Sequence, residues 1–184
     1  MVGMSRRGVM LSAVVSVGCV ALMLVDSSGG DHLMGTSKQE GIVLADAKRR
    51  LTPFDTWNES ISRLDPNLLT ALQEAARAAR ADGVSIEVTW GWRSPEVQQR
   101  LLDDAIKKYG SYDAARRYVQ TPEGSTHVAG QAVDIGGTAA IRWMNEHASR
   151  FGMCRIYANE SWHFELAADQ FGNCPPLLPD AAGE

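Results

Sequence analysis

The sequence predicts an α+β fold: a small, mostly antiparallel sheet packed by helices and preceded by an N-terminal transmembrane helix. Three observations lead there. Capped stretches with apolar residues at helical spacing alternate with short runs of period-two hydrophobicity. Their order is helix, strand, helices, strands, helix, strands, which is not the regular alternation of a parallel α/β sheet. An uncharged apolar run stands before all of it. The 184 residues, 45% hydrophobic, are enough to build the core of one domain. The net charge is −4, from 18 Lys+Arg against 22 Asp+Glu, with no long basic run. That excludes nucleic acid as the main partner, because phosphate binding needs clustered cations.

The elements follow in order. Arg6 and Arg7 precede the apolar stretch Gly8–Val25, and Asp26 follows it. At 1.5 Å per helical residue the stretch spans about 27 Å, close to the bilayer core. Positive charge before it keeps the N-terminus in the cytosol and exports the rest. Residues 1–25 therefore read as a cytoplasmic tail and a single-pass transmembrane signal anchor. A cleaved signal peptide is the alternative, although Val25-Asp26-Ser27 makes a poor cleavage site. Acylation at Cys19 is a third reading, disfavoured by the apolar run that continues past it and by Ser16 at a position that prefers a bulky aliphatic residue. Residues 26–50, rich in Ser, Gly, Asp and Lys, read as a polar tether. Residues 51–178 read as the folded domain, and 179–184 as a frayed tail.

Within the domain, Asp65-Pro66 is a helix start, and Leu68, Leu72, Ala75, Ala76 and Ala79 follow at helical spacing until Gly83. Val84 to Trp92 alternates as a half-buried strand. Ser94-Pro95 opens a second helix that ends near Gly110, and Ser111 a short one through Val119. Thr121–Gly124 is a turn, and two short strands are expected at Thr126–Val128 and Ala132–Ile135, astride Gly130. Thr138 is expected to cap a helix to Phe151, with strands at Met153–Ala158 and Trp162–Leu166 closing the domain. With Cys19 in the apolar run, Cys154 and Cys174 remain. In an exported domain they point to a disulfide, with two buried free thiols as the alternative.

Two segments carry chemistry: Gly124–Gly136 and Asn159–Glu165. Zinc hydrolases take three protein ligands, usually imidazole and carboxylate, and leave a fourth position open. His127 and Asp134 flank Gly130, so a tight turn there brings them together, and His163 supplies a third ligand. Glu160 lies three residues before His163. In a straight strand that odd offset separates the two, so they share a site only if the chain turns around Asn159–Ser161. Glu160 is then placed to move a proton rather than to bind the metal. The chain has no HExxH, which excludes the helical zincin arrangement. Each of these residues alone has an ordinary reading: a hydrogen-bonded histidine, a turn aspartate, a solvated glutamate. Trp92 and Trp162 alone read as core.

Together they resemble a known pattern. Ser-x-His-x-x-Gly-x-Ala-x-Asp (Ser125 to Asp134), followed by Glu-x-Trp-His (Glu160 to His163), is similar to the VanY-type zinc D-alanyl-D-alanine carboxypeptidases. An upstream Gly-aromatic-Arg-Ser-x-x-x-Gln segment, Gly91 to Gln98, matches as well. The resemblance spans Trp90 to Leu166. It implies a Hedgehog/DD-peptidase-like fold, Zn2+ held by His127, Asp134 and His163, and Glu160 as catalytic base and acid. It implies further that Arg93 stabilises the oxyanion or holds the substrate, with Ser125, Gln98 and Trp162 at the substrate. The implied reaction is removal of a terminal D-Ala from peptidoglycan stem peptides. L,D-carboxypeptidase and endopeptidase action share the machinery, and a non-catalytic wall-peptide binding module is the alternative from another class. One departure stands out: many members carry a basic residue two positions after the Trp-His histidine, where this chain has Glu165.

Overall fold

The computed structural model describes residues 50–183. The expected anchor and all of the tether but Arg50 lie outside the described residues. Among the described residues, no helix is long and apolar enough to cross a membrane.

Leu51 opens the domain, buried and bridged antiparallel to Val88. A one-turn helix, α1 (Glu59–Ser62), follows, capped by the Asn58 side chain. Helix α2 (Pro66–Ala81) starts where Asp65 accepts from the backbone N–H groups of Asn67 and Leu68. Its inward stripe, Leu68, Leu72, Ala75 and Ala79, is almost wholly buried. Strand β1 (Glu87–Trp90) is shorter than the alternation predicts. Its ladder stops at Trp90, opposite Asp134, and beyond it the Trp92 N–H goes to the Ser60 carbonyl instead. Helix α3 (Pro95–Tyr109) is capped by the Ser94 hydroxyl and ended by Gly110, and α4 (Tyr112–Arg116) by the Ser111 hydroxyl.

The strand expected at Thr126–Val128 is a turn. The amides of Val128 and Ala129 fold back on the Ser125 carbonyl, and that of Gly130 on His127, so no extended backbone is left for a sheet. Strand β2 (Ala132–Gly136) follows, buried along its whole length. Helix α5 spans Thr138–His147 and tightens into a 3-10 turn at Ala148–Phe151. Thr138 does not cap it; Gly137 occupies that position without a side-chain bond. Strands β3 (Met153–Arg155) and β4 (His163–Leu166) are both shorter than expected. After Arg155 the chain leaves the sheet, and Tyr157 bridges Leu178 instead.

The sheet order is β1-β2-β4-β3, and every pairing is antiparallel. Alternation along β2 sends Val133 and Ile135 to one face and Asp134 to the other. On β4, Phe164 joins the first face, while His163 and Glu165 share the second. The first face packs on α2 and α5 to form the main core, with Met144 and Met153 filling it. Fully burying side chains of this size contributes roughly 1.5–3 kcal/mol each. The second face carries the polar residues described next.

The end of the domain is pinned rather than frayed. Asp180 and Ala181 are buried, and Asp180 pairs with Arg117 at 2.7 Å. The Gln120 carboxamide donates to the Ala181 carbonyl. Cys154 and Cys174 form a disulfide across 20 residues, tying β3 to this segment.

Candidate metal centre

Gly130 sets the site. Its φ is +75°, and a Cβ there would meet the Arg63 carbonyl oxygen at 2.5 Å, so only glycine makes this turn against the end of α1. The turn holds His127 beside β2, at 3.3 Å from Nε2 to Asp134 Oδ1. Asp134 and His163 are register partners across β2 and β4, which places their side chains on one face. His163 Nδ1 lies 3.2 Å from the same Oδ1. One ligand atom from each residue falls within 4.8 Å of the others, and all three residues are buried.

The remaining nitrogens are tied down. His127 Nδ1 donates to the Gly91 carbonyl at 2.8 Å, which leaves Nε2 with its lone pair toward Asp134. Gly91 can approach because it has no side chain; a Cβ would meet the Ser60 carbonyl oxygen at 2.1 Å. His163 Nε2 lies 2.8 Å from Glu165 Oε1.

Arg93 reaches Asp134 Oδ2 at 3.3 Å and Gln98 Oε1 at 3.3 Å. Its guanidinium carbon sits 4.9 Å from the centre of the Trp90 ring. Gln98 stands behind Arg93 rather than in the cleft wall. The first turn of α3 directs it inward, it is 2% exposed, and its amide donates to the Gln120 carbonyl. Its side chain contacts Arg93 and the Gln120 carbonyl.

Turns at 158–159 and 161–162 carry Glu160 back toward the centre. Its Oε2 stands 3.9 Å from His163 Nδ1. Trp162 is half-exposed, and Ser125 is buried beside the turn that carries His127. Both line one cleft of about 490 Å³ together with His127, Asp134, His163 and Glu160. Several lining residues were not singled out from the sequence. Tyr157 sets its ring 5.0 Å from that of His163, Ala181 closes one wall, and Lys108, Tyr109 and Tyr118 line the cleft too. No local motif marks them, since they arrive from distant segments. Glu165 stood out in the sequence only as a departure from the family pattern, two positions after His163.

The charges are strongly coupled. Burial alone would raise the Asp134 carboxyl, but the two imidazoles hold it well below the usual carboxylate range. Burial lowers His127 and keeps it neutral. Burial also opposes charge on His163, yet its bonds to Asp134 and Glu165 win and raise it to about 9. Burial, with Asp134 nearby, raises Glu160 to about 7. Burial lowers Arg93 against the pull of Asp134 and Glu160. Tyr157 is pushed up to about 12 by burial and by Glu165 and Glu160.

Two imidazoles and one carboxylate, each buried and held from behind, are the donor set that zinc takes in open three-ligand sites. The donor set fits the ion. Fold and site together define a class: an α+β domain with a three-ligand metal centre of the kind used by zinc hydrolases.

Comparison with known proteins narrows this. The D-alanyl-D-alanine carboxypeptidase family model, VanY, matches residues 61–169. The chain belongs to the VanY D-alanyl-D-alanine carboxypeptidase family. It is 30% identical over 169 residues to a D-alanyl-D-alanine carboxypeptidase of Enterococcus faecalis (strain ATCC 700802 / V583). The match takes in 73% of this chain but 63% of that relative's length. Among solved structures it is similar to a mutant of the vancomycin resistance D,D-pentapeptidase VanY, from a VanB-type resistance cassette, in complex with Zn(II). The identity is 33% and the TM-score 0.52, over 55% of this chain and 71% of the other. It is also similar to VanYB in complex with D-alanine-D-alanine, at 32% identity and a TM-score of 0.51, over 55% and 70% of the two chains.

Proposed function

We propose that the protein is a zinc-dependent peptidase of the cell wall, a D,D-carboxypeptidase that removes the terminal D-Ala from peptidoglycan stem peptides. One observation carries this reading: Glu160, Arg93 and the three candidate ligands converge on one cleft. The similarity to a D-alanine-D-alanine complex supports the substrate class. When bound by His127, Asp134 and His163, zinc supplies a Lewis acid for a carbonyl and makes water acidic enough to attack at neutral pH.

The chain's own residues do the rest. Glu160, raised to about 7, is suited to taking a proton near neutral pH. It accepts that proton from the attacking water and returns it to the departing amine of D-Ala. Arg93 presents its guanidinium to the oxygen that gains charge, a contact strengthened by its burial. Asp134 and Gln98 fix its direction. Trp162 and Ser125 provide walls against which the peptide lies.

The test is incubation of the purified full chain with pentapeptide and tetrapeptide stems, zinc-loaded and chelated. Zinc-dependent loss of one alanine from the pentapeptide supports the reading. Cleavage of the tetrapeptide alone reassigns the site to L,D-carboxypeptidase action, and internal cuts reassign it to endopeptidase action. Tight binding without cleavage makes it a wall-peptide binding module.

We further propose that residues 8–25 anchor the chain in the bacterial cell membrane with the catalytic domain outside. The support is the uncharged run behind Arg6 and Arg7. A tether of roughly 25 residues would let the domain range about 25–30 Å. Full-length protein of full mass in the soluble fraction would refute it.

A further inference from the structure

We propose that Glu165 is a positioning residue of the metal centre: it holds the proton of His163 on Nε2 and so makes Nδ1 the ligating atom. The inference rests on the zinc reading above and goes beyond it, since Glu165 belongs to none of the residues that reading uses.

His163 and Glu165 are two apart on β4, so both stand on the polar face, with Phe164 turned into the core between them. Glu165 is flanked in the ladder by Ala132 on β2 and Cys154 on β3. Both are small, which leaves room for its carboxylate to reach along its own strand. Oε1 lies 2.8 Å from His163 Nε2. The same oxygen accepts from the Thr126 hydroxyl at 2.9 Å. Thr126 is next to His127, so one carboxylate joins the turn carrying the first imidazole to the strand carrying the second.

Glu165 is not itself a ligand of this centre. The two nitrogens of an imidazole point away from each other, and Nδ1 is the one that faces Asp134. Glu165 therefore lies behind His163. A carboxylate in that position fixes the tautomer and makes the ligating nitrogen more basic. His127 is held the same way by a neutral acceptor, the Gly91 carbonyl. The two imidazoles thus differ in the charge of what stands behind them.

The experiment uses the full chain and reads zinc affinity by competition with a chromophoric chelator. Glu165→Ala is expected to weaken zinc binding roughly 10- to 100-fold. Glu165→Gln, which keeps an acceptor oxygen, should restore part of that loss. Thermal unfolding in chelator controls for a merely structural effect and should change little between the two variants. A Glu165→Ala protein that binds zinc within twofold of the parent overturns the proposal. Should that variant fail to fold, nitrogen NMR of the zinc-loaded parent decides. A protonated Nε2 and a metal-bound Nδ1 on His163 support the proposal, and the reverse arrangement overturns it. Zinc binding without any peptide cleavage would remove the proposed activity and leave this inference standing.

Discussion

Asp134 and His163 face each other across two adjacent antiparallel strands, with carboxylate Oδ1 3.2 Å from imidazole Nδ1. Both side chains are buried, and both have a second partner that sets their angle: Arg93 for Asp134 and Glu165 for His163. The centre is thus anchored to the sheet through Asp134 and His163, while His127 and Glu160 arrive on turns.

Replacing Glu160 by Gln removes the proton acceptor and leaves the ligands untouched. Turnover should fall by about 10²–10⁴-fold. Zinc content should stay at the parent's value. Alanine release and metal analysis on one sample check both, and retained turnover would rule out the assignment.

Asp134→Asn should lose the metal and also destabilise the chelated protein, because buried Arg93 loses its ion pair and keeps only the pull of Glu160. Breaking a buried pair from one side costs about 3–5 kcal/mol. Denaturant unfolding in chelator measures it. An unchanged midpoint would show that Arg93 finds another partner.

The pH dependence follows from His163. Its folded value is raised from 6.5 to about 9, so the folded chain holds a proton that the unfolded chain releases earlier. That contribution is full below about 6.5 and is lost as pH rises through about 9. Glu160, raised to about 7, finishes ionising in the lower part of the range, so His163 governs the upper part, toward 9. The chelated protein should lose stability across that interval. Zinc must displace the same proton, so its apparent affinity should climb by up to about tenfold per pH unit over the same range. A flat affinity from pH 7 to 9 would contradict the protonated state of His163.

Reducing the Cys154–Cys174 bridge, or replacing both by Ser, opens a loop of 20 residues. The expected loss is about 3 kcal/mol, chiefly through a freer unfolded chain. Unfolding midpoints with and without reductant test it. Because the bridge ties β3 to the segment carrying Asp180 and Ala181, the cleft wall should also become more accessible to proteases.

The sequence by itself determined a good deal. Residue type and spacing marked His127, Asp134, Gly130, Glu160 and His163, because a metal centre needs particular donors and a turn needs a particular glycine. Caps at Asp65-Pro66, Ser94-Pro95 and Ser111 marked three helices, because capping is a local bond between neighbours. Strand lengths were not legible. A strand ends where other partners take over its backbone, as Ser60 does for Trp92 and Leu178 for Tyr157, and those partners lie far away in the chain. The same holds for Thr126–Val128, where short-range turn bonds overrode an extended reading. Gln98 fell inside a recognisable motif, yet only packing decided that it holds Arg93 instead of lining the cleft. Glu165 and the pinned segment at Asp180 and Ala181 were likewise decided by tertiary contacts. Their partners, Thr126 and Arg117, lie 39 and 63 residues away, beyond the reach of any local pattern.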